Sequence, residues 1–243
     1  EIALLENGRL VELHQDRGNG EYAVGDIYLG RVRKVLPSLN AAFVDVGHER
    51  DAFLHYLDLG PQFRTQQQYT KRVMAGKQPV SDLANFKKEP EIDKKSKIKD
   101  ELSSSGLVLV QVAKEPISTK GPRLTAEVTL PGRYVVLVPF SDKVSLSSRI
   151  KGEVERTRLR RLMQSILPPG FGIIVRTVAE EKGAADLHQD LEDLVNRWAE
   201  LHKRLKHAKP GKRVLGELDK TSAVLRDVLT KDCTSIHVND AKL

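Results

Sequence analysis

Short runs of alternating apolar and polar residues open the chain. In "EIALLENGRLVELH" (1–14), Ile2 alternates with Leu4 and Leu10 with Glu12 around Asn7-Gly8, the dipeptide of tight two-residue turns, so the pattern predicts a hairpin of two strands. "QDRGNGEYAVGD" then reads as a Gly-rich loop. From Asp26 onward, "IYLGRVRKVL", "AAFVDVG", "DAFLHY" and, much later, "GLVLVQVAK" (106–114) are rich in Val, Ile and Phe and separated by Gly and Pro. Such spacing predicts a small β-barrel of the OB type. The segment between them, residues 60–105, is dominated by Gln, Lys, Glu and Ser, has few apolar anchors after Phe86, and is predicted to be a long, partly disordered insertion, with contact to RNA through its lysines as the alternative.

A second set of patterns follows. "RLTAEVTL" and "RYVVLVPF" alternate as strands do, and "EVERTRLRRLMQSIL" reads as a helix halted by Pro168-Pro169. "GFGIIVRTVA" reads as a buried strand through its Ile-Ile-Val run. Then Leu187, Leu191, Leu194, Val195, Trp198, Leu201 and Leu205 recur at intervals of mostly three and four, an amphipathic helix with Trp198 in the core and Asp186 and Gln189 as a variant capping box. A last helix, "SAVLRDVLTK", precedes a strand-like "SIHVND". The chain is therefore predicted to be α+β, in one or two domains at roughly 100–200 residues each.

Composition narrows the partners. Forty Lys and Arg against 33 Asp and Glu give a formal net charge of +7, which favours an acidic partner, with nucleic acid first among them. Much of the excess lies in "RIKGEVERTRLRR" (149–161) and "KRLKHAKPGKR" (203–213), runs that also suit solvated helix faces. No apolar run approaches the ~18 residues of a membrane helix, and the start lacks the blocks of a secretory signal. The single cysteine, Cys233, excludes an internal disulfide and suits a reducing cytoplasm. With no initial Met and a strand-like run at its end, the chain reads as cut at both ends.

Catalytic constellations are not apparent. The sequence has no Walker-type phosphate loop, no His-Glu-x-x-His helix and no Gly-x-Ser-x-Gly elbow. His188, His202 and His207 do not stand at metal-pair spacing and are expected at exposed helix positions. No Asp-x-Asp or Asp-x-Asn pair on a strand offers two carboxylates for magnesium, so catalytic and metal-binding residues are expected to be absent from this chain. "SLNAAFVDVGHERDAFLHY" (38–56) is more informative. Strand parity puts Ala42, Val44 and Val46 on one face and Phe43 and Asp45 on the other; in the next run Ala52 and Leu54 oppose Phe53 and His55. A turn centred near His48 sets Phe43 and Phe53 side by side on the outer face, beside basic residues, where OB barrels stack single-stranded bases.

At these residues the chain resembles a known family. "GDIYLGRVRKVLPSLNAAFVDVGHERDAFLHYLD" is similar to the S1-type RNA-binding barrel of the bacterial ribonuclease E/G family. "EPISTKGPRLTAEVTLPGRYVVLVPF", "VSLSSRI" and "GFGIIVRTVAEE" resemble the segment that follows it there and senses the RNA 5′ end. The resemblance implies an endoribonuclease that cleaves single-stranded RNA in decay and processing and prefers a 5′-monophosphorylated end. Residue by residue, it implies that Phe43 and Phe53 stack bases and that Lys120 in "STKGPRL" contacts RNA, with Arg149 a further backbone contact. It implies a 5′-monophosphate pocket at Gly132, Val136, Arg176 and Thr177. Arg176 and Thr177 also make chemical sense there, as a bidentate fork and a hydroxyl donor for one phosphate.

The resemblance further implies residues 1–25 and 214–243 as parts of a ribonuclease-H-like subdomain, 26–125 as the barrel with its insertion, and 126–213 as the sensor region. Magnesium, held by paired aspartates in the family, would be bound in a nuclease domain beyond this chain, which is then expected to bind RNA without cutting it. Oligomerisation is left open for a longer protein. Two other readings stand beside this one: a non-catalytic RNA-binding protein with the same barrel, and, less suited to the acidic polar side of the 186–207 helix, a membrane-surface protein.

Overall fold

The computed structural model describes residues 2–14, 22–217, 220–228 and 233–239. In chain order the elements are β1 (Ile2–Glu6), β2 (Arg9–His14), β3 (Ile27–Leu36), β4 (Ala41–Asp45), β5 (Ala52–His55), α1 (Phe63–Met74), α2 (Ile98–Glu101) and β6 (Leu107–Lys114). They continue with β7 (Arg123–Thr125), β8 (Leu130–Pro131), β9 (Val135–Pro139), β10 (Val144–Leu146), α3 (Glu153–Ile166), β11 (Phe171–Val175), α4 (Ala184–Leu205), β12 (Lys212–Leu215) and α5 (Lys220–Val228).

The chain divides into two compact units, one of Glu1–Gly20 with Leu218–Leu243 and one of Glu21–Glu217. In the first, β1 and β2 pair antiparallel around Asn7 and Gly8, whose φ angles of 51° and 76° are those of the twisted turn that Asn-Gly favours. Residues 233–239 form no strand, although "SIHVND" alternates; a strand needs a ladder partner, and none of the described residues supplies one. The tail of the expected last helix, residues 229–231, and Asp240 of the strand-like run lie outside the described residues.

In the second unit, β3, β4, β5, β7 and β6 form a closed barrel: β3 pairs with both β4 and β6, and β12 adds to its outer edge. Closure leaves Val44, Leu54, Val108, Val110 and Leu124 fully buried inside. This is the α+β architecture with an OB-type barrel that the pattern predicts. A four-stranded sheet, ordered β10-β11-β9-β8, packs α3 and α4 against its inner face. There the sequence reading needs correcting: Ile173 and Val175 point inward, but Ile174 is exposed, because the strand has one solvent face. "RLTAEVTL" is also not one strand. After Thr125 the chain leaves the barrel, held by Ala126 N donating to Asp58 O and Thr129 N to Gln111 Oε1, and pairs again only at Leu130.

Residues 60–105 are folded rather than partly disordered. Phe63, Gln66, Tyr69, Thr70 and Val73 recur at helical spacing and form the buried face of α1, where Gln66 Nε2 donates to Leu109 O at 3.0 Å. Three glutamines in a row conceal that stripe from a composition-based reading. Beyond it, Leu83, Ile98 and Leu102 are buried, so apolar anchors are few but each is used.

Tyr69 lies against Trp198, Phe86 and Phe140, and its hydroxyl meets His202 Nδ1 at 2.7 Å. His202 is thus a buried residue, not an exposed one: it follows Trp198 by four and precedes Leu205 by three, on the edge of the apolar stripe of α4. Its Nε2 faces Pro79 O at 3.4 Å, which makes it a neutral imidazole accepting from Tyr69 and donating to Pro79. Burial holds its pKa below the ordinary 6.5. The unfolded chain therefore takes up this proton first, so the stability contributed by neutral His202 is complete above about pH 6.5 and declines as pH falls below it. Tyr69→Phe, which leaves Nδ1 buried without a donor, is expected to cost about 1–3 kcal/mol in urea denaturation at neutral pH. The expected capping box of α4 is absent: Gly183 is the N-cap, no side chain caps it, and Gln189 bonds Asp193 instead.

Candidate nucleic-acid interface

The outer face of the barrel carries a continuous row of residues. Lys34 pairs with Phe43, Phe43 with Phe53, Phe53 with Arg123, and Arg123 with Lys114, each directly across neighbouring strands. Cross-strand partners project to the same side, so two aromatic rings are flanked by basic side chains on both edges. The Phe43 and Phe53 centroids are 6.2 Å apart and their planes 69° from parallel. Both rings are half-buried, while Ala42, Val44, Val46, Ala52 and Leu54 fill the inside, as strand parity requires. The turn after β4 is fixed by Gly47 (φ 87°), whose N–H donates to Asp45 Oδ1 at 2.9 Å. Asp45 also holds Arg33 and Asp58 holds Arg123, so these two carboxylates are already partnered by guanidinium groups.

Lys120 is exposed on a tight turn closed by its own N–H to Ile117 O at 3.0 Å. Gly121 brings that turn against the start of β5, with no room for a Cβ beside Asp51 O. Lys120 therefore borders the row at the start of β5, two residues before Phe53.

The other predicted residues converge on the second sheet. Arg176 follows β11, and its Nη1 donates to Gly132 O at 2.8 Å while its backbone N–H donates to Tyr134 O at 2.8 Å. Thr177 Oγ1 lies 3.2 Å from Ser147 Oγ, which also accepts from the N–H of Arg149 at 3.3 Å. Val136 pairs with Ile174 and Pro131 on the outward face of the sheet. Gly132, Val136, Arg176 and Thr177 are thus brought together, with Arg149 two residues from Ser147 on the same side. Gly132 N–H is engaged internally by Val135 O at 2.8 Å.

Three contributors escaped the sequence reading. Asp190, on α4, accepts the backbone N–H groups of Arg133, Tyr134 and Val135 at 2.9, 2.8 and 3.0 Å. A Cβ at residue 132 would fall 2.6 Å from its carboxylate, so glycine is required there for the loop to close on Asp190. A signal for Asp190 exists in the sequence: it stands three after Leu187 and four before Leu194, a charge within the apolar stripe. Tyr134 carries Arg133 and Lys182 near its ring, at 5.6 and 5.7 Å. Arg156 donates to Ser147 O and Ile150 O, fixing the loop that presents Arg149. Nearby, Glu155 accepts from Arg158 and from Glu181 N–H, and the guanidinium holds its carboxyl down to about 2.

Among the described residues, no group of three or more His, Cys, Asp or Glu is placed to hold a metal ion, and no helix is long and apolar enough to cross a membrane. No residue here is assigned to magnesium.

These features define an α+β chain built on an OB-type barrel whose outer face joins aromatic and basic groups. Comparison with known proteins narrows the class. Residues 129–243 match the model of the ribonuclease E/G family. The chain is 40% identical to ribonuclease E of Nostoc sp. over 223 residues, covering 91% of this chain and 28% of that protein. It is 35% identical to ribonuclease G of Escherichia coli and 36% identical to ribonuclease G of Haemophilus influenzae, over 98% and 100% of this chain and 45% of each relative. The chain belongs to the ribonuclease E/G family, and it spans less than half the length of these relatives.

Proposed function

We propose that this chain is the RNA-binding and 5′-monophosphate-sensing part of an endoribonuclease that cleaves single-stranded RNA in RNA decay and processing. The observation that carries the reading is the row Lys34, Phe43, Phe53, Arg123, Lys114, in which two base-stacking rings lie side by side between basic side chains on one surface. Bases stack on the two rings, and the flanking cations follow the backbone. At the second sheet, Arg176 supplies a planar fork and Thr177 a hydroxyl, both suited to the oxygens of a terminal phosphate. Asp190 takes three N–H groups of the adjoining loop and so keeps its own negative charge partnered inside the protein. Cleavage, with the magnesium it requires, is assigned to no residue of this chain. A reducing, cytoplasmic setting suits its single cysteine.

The test compares a 5′-phosphorylated RNA with its 5′-hydroxyl twin. Hydrogen bonds to a charged group contribute about 1.5–3 kcal/mol, so the phosphorylated RNA is expected to bind about tenfold or more tightly. Arg176→Ala should remove that preference and leave binding of the hydroxyl twin unchanged. Equal affinities of the unaltered chain for the two RNAs would refute the sensor. Asp190→Ala is expected to act in the same direction through the loop it holds, lowering the phosphate preference severalfold, whereas a merely structural role would weaken both RNAs alike; isothermal titration of the same RNA pair separates the two.

A further inference from the structure

The segment "DKKSKIK" (93–99) places lysines at 94, 95, 97 and 99 in a connection between α1 and α2 that has no regular structure before Ile98. A run of this kind ordinarily makes a solvated face. Here it is fastened to the barrel. Asn40 Oδ1 accepts from Ile98 N–H at 2.7 Å, Asn40 Nδ2 donates to Ser96 O at 3.5 Å, and the Tyr56 hydroxyl donates to Asp93 O at 2.5 Å. Ile98 is fully buried in the barrel core, and Asn40 adopts the left-handed conformation (φ 47°) that aims its amide at the loop.

The four lysines are exposed. The neighbouring carboxylates are engaged away from the four ammonium groups: Asp93 accepts from the backbone N–H of Lys95, Asp100 from that of Lys97, and Glu101 from the Arg64 guanidinium. Among the described residues, no ion pair joins any of the four ammonium groups to a carboxylate. The result is a held concentration of positive charge.

Its position gives it meaning. Asn40 immediately precedes β4, and Phe43 stands three residues on, about 10 Å at the rise of a strand. Lys120 borders the opposite end of the same two strands. A nucleic-acid strand that passes the rings from the Lys120 end of β4 and β5 thus leaves the hairpin at the end to which the lysine loop is fastened. Because the loop is already fixed, ordering it does not oppose binding.

We propose that residues 93–99 form a second phosphate-contact site for single-stranded RNA, extending the strand's path beyond the Phe43 and Phe53 platform at the Asn40 end of the hairpin. This rests on the platform reading above. The test uses the full chain and 5′-hydroxyl single-stranded RNAs of about 5 and about 15 nucleotides, near the short and long ends of OB-fold footprints. With Lys94, Lys95 and Lys97 all replaced by Gln, affinity for the longer RNA is expected to fall about tenfold near 0.1 M salt. The slope of log affinity against log salt should become shallower by about 2, at roughly 0.7 per phosphate contact. Affinity for the shorter RNA should hold.

Unchanged affinity and slope for the longer RNA overturn the proposal, as does an equal loss for both lengths, which marks diffuse charge. Asn40→Gly keeps the left-handed backbone and every lysine but removes the amide clamp. It is expected to lose part of the long-RNA affinity; full retention overturns the pinned-loop geometry. The Phe43→Ala, Phe53→Ala chain separates this claim from its premise: if it still binds the short RNA fully, the platform fails, whatever the lysines do.

Discussion

Replacing Phe43 and Phe53 together by alanine is expected to weaken binding of single-stranded RNA by at least about 30-fold, since each base stacked on an aromatic ring contributes roughly 1–3 kcal/mol. Fluorescence anisotropy with a labelled RNA reads this directly. The fold should tolerate the change, because the rings lie only partly buried on the outer face while Ala42, Val44, Ala52 and Leu54 occupy the barrel interior. The thermal midpoint is accordingly expected to move by only a few degrees, at ~2–4 °C per kcal/mol for a chain of this size. Leu54→Ala is the control in the other direction: it empties a fully buried position and should lower stability by about 2–5 kcal/mol. The contrast between neighbours in one strand follows from the period of two.

The second large effect concerns the core beneath the four-stranded sheet. Trp198→Ala is expected to cost about 3–5 kcal/mol, or roughly 6–20 °C in thermal midpoint. Trp198 is 1% exposed, meets the rings of Tyr69, Phe140 and Phe171, and donates from Nε1 to Ser81 O at 2.9 Å. Its removal therefore opens a cavity and also leaves a carbonyl of the 60–105 segment without its donor. Trp198→Phe retains most of the packing and loses the hydrogen bond, so it should fall between the alanine variant and the unaltered chain. Differential scanning calorimetry ranks the three.

What could be read from the sequence, and what could not, follows from the range of the interactions. The Phe43 and Phe53 pairing was legible because a strand alternates strictly and a one-residue slip would have sent Ala42 and Val44 to solvent. The first hairpin was legible because Asn7 and Gly8 tolerate positive φ. The 60–105 segment was misread because its burial is long-range: Tyr69 is covered by residues from three other parts of the chain, and Ile98 by a barrel closed only after β6 and β7 pair. His202 was misassigned for the same reason, since its partners Tyr69 and Pro79 come from more than 120 positions away.

The site divides along the same line. Arg176 and Thr177 were singled out through local motifs, and the structure sets Arg176 against Gly132 and Thr177 against Ser147. Asp190 was overlooked, although a carboxylate inside the apolar stripe of an amphipathic helix is itself a sign of a buried partner. Its partners are backbone N–H groups, which no side-chain pattern advertises. The lysines of 93–99 were visible as charge, but the clamp formed by Asn40 and Tyr56 that turns them into a surface was not.

The most direct measurement is photocrosslinking of a 5′-phosphorylated single-stranded RNA to the full chain, followed by mapping of the modified peptides. With photoreactive uridines inside the RNA, adducts are expected within residues 41–55, which carry Phe43 and Phe53; with the photoreactive group at the 5′-terminal nucleotide, within residues 130–136 and 174–177. Adducts confined to other surfaces, or a 5′-terminal adduct that does not depend on the phosphate, would contradict the assignment of these two surfaces to RNA binding and 5′-end sensing.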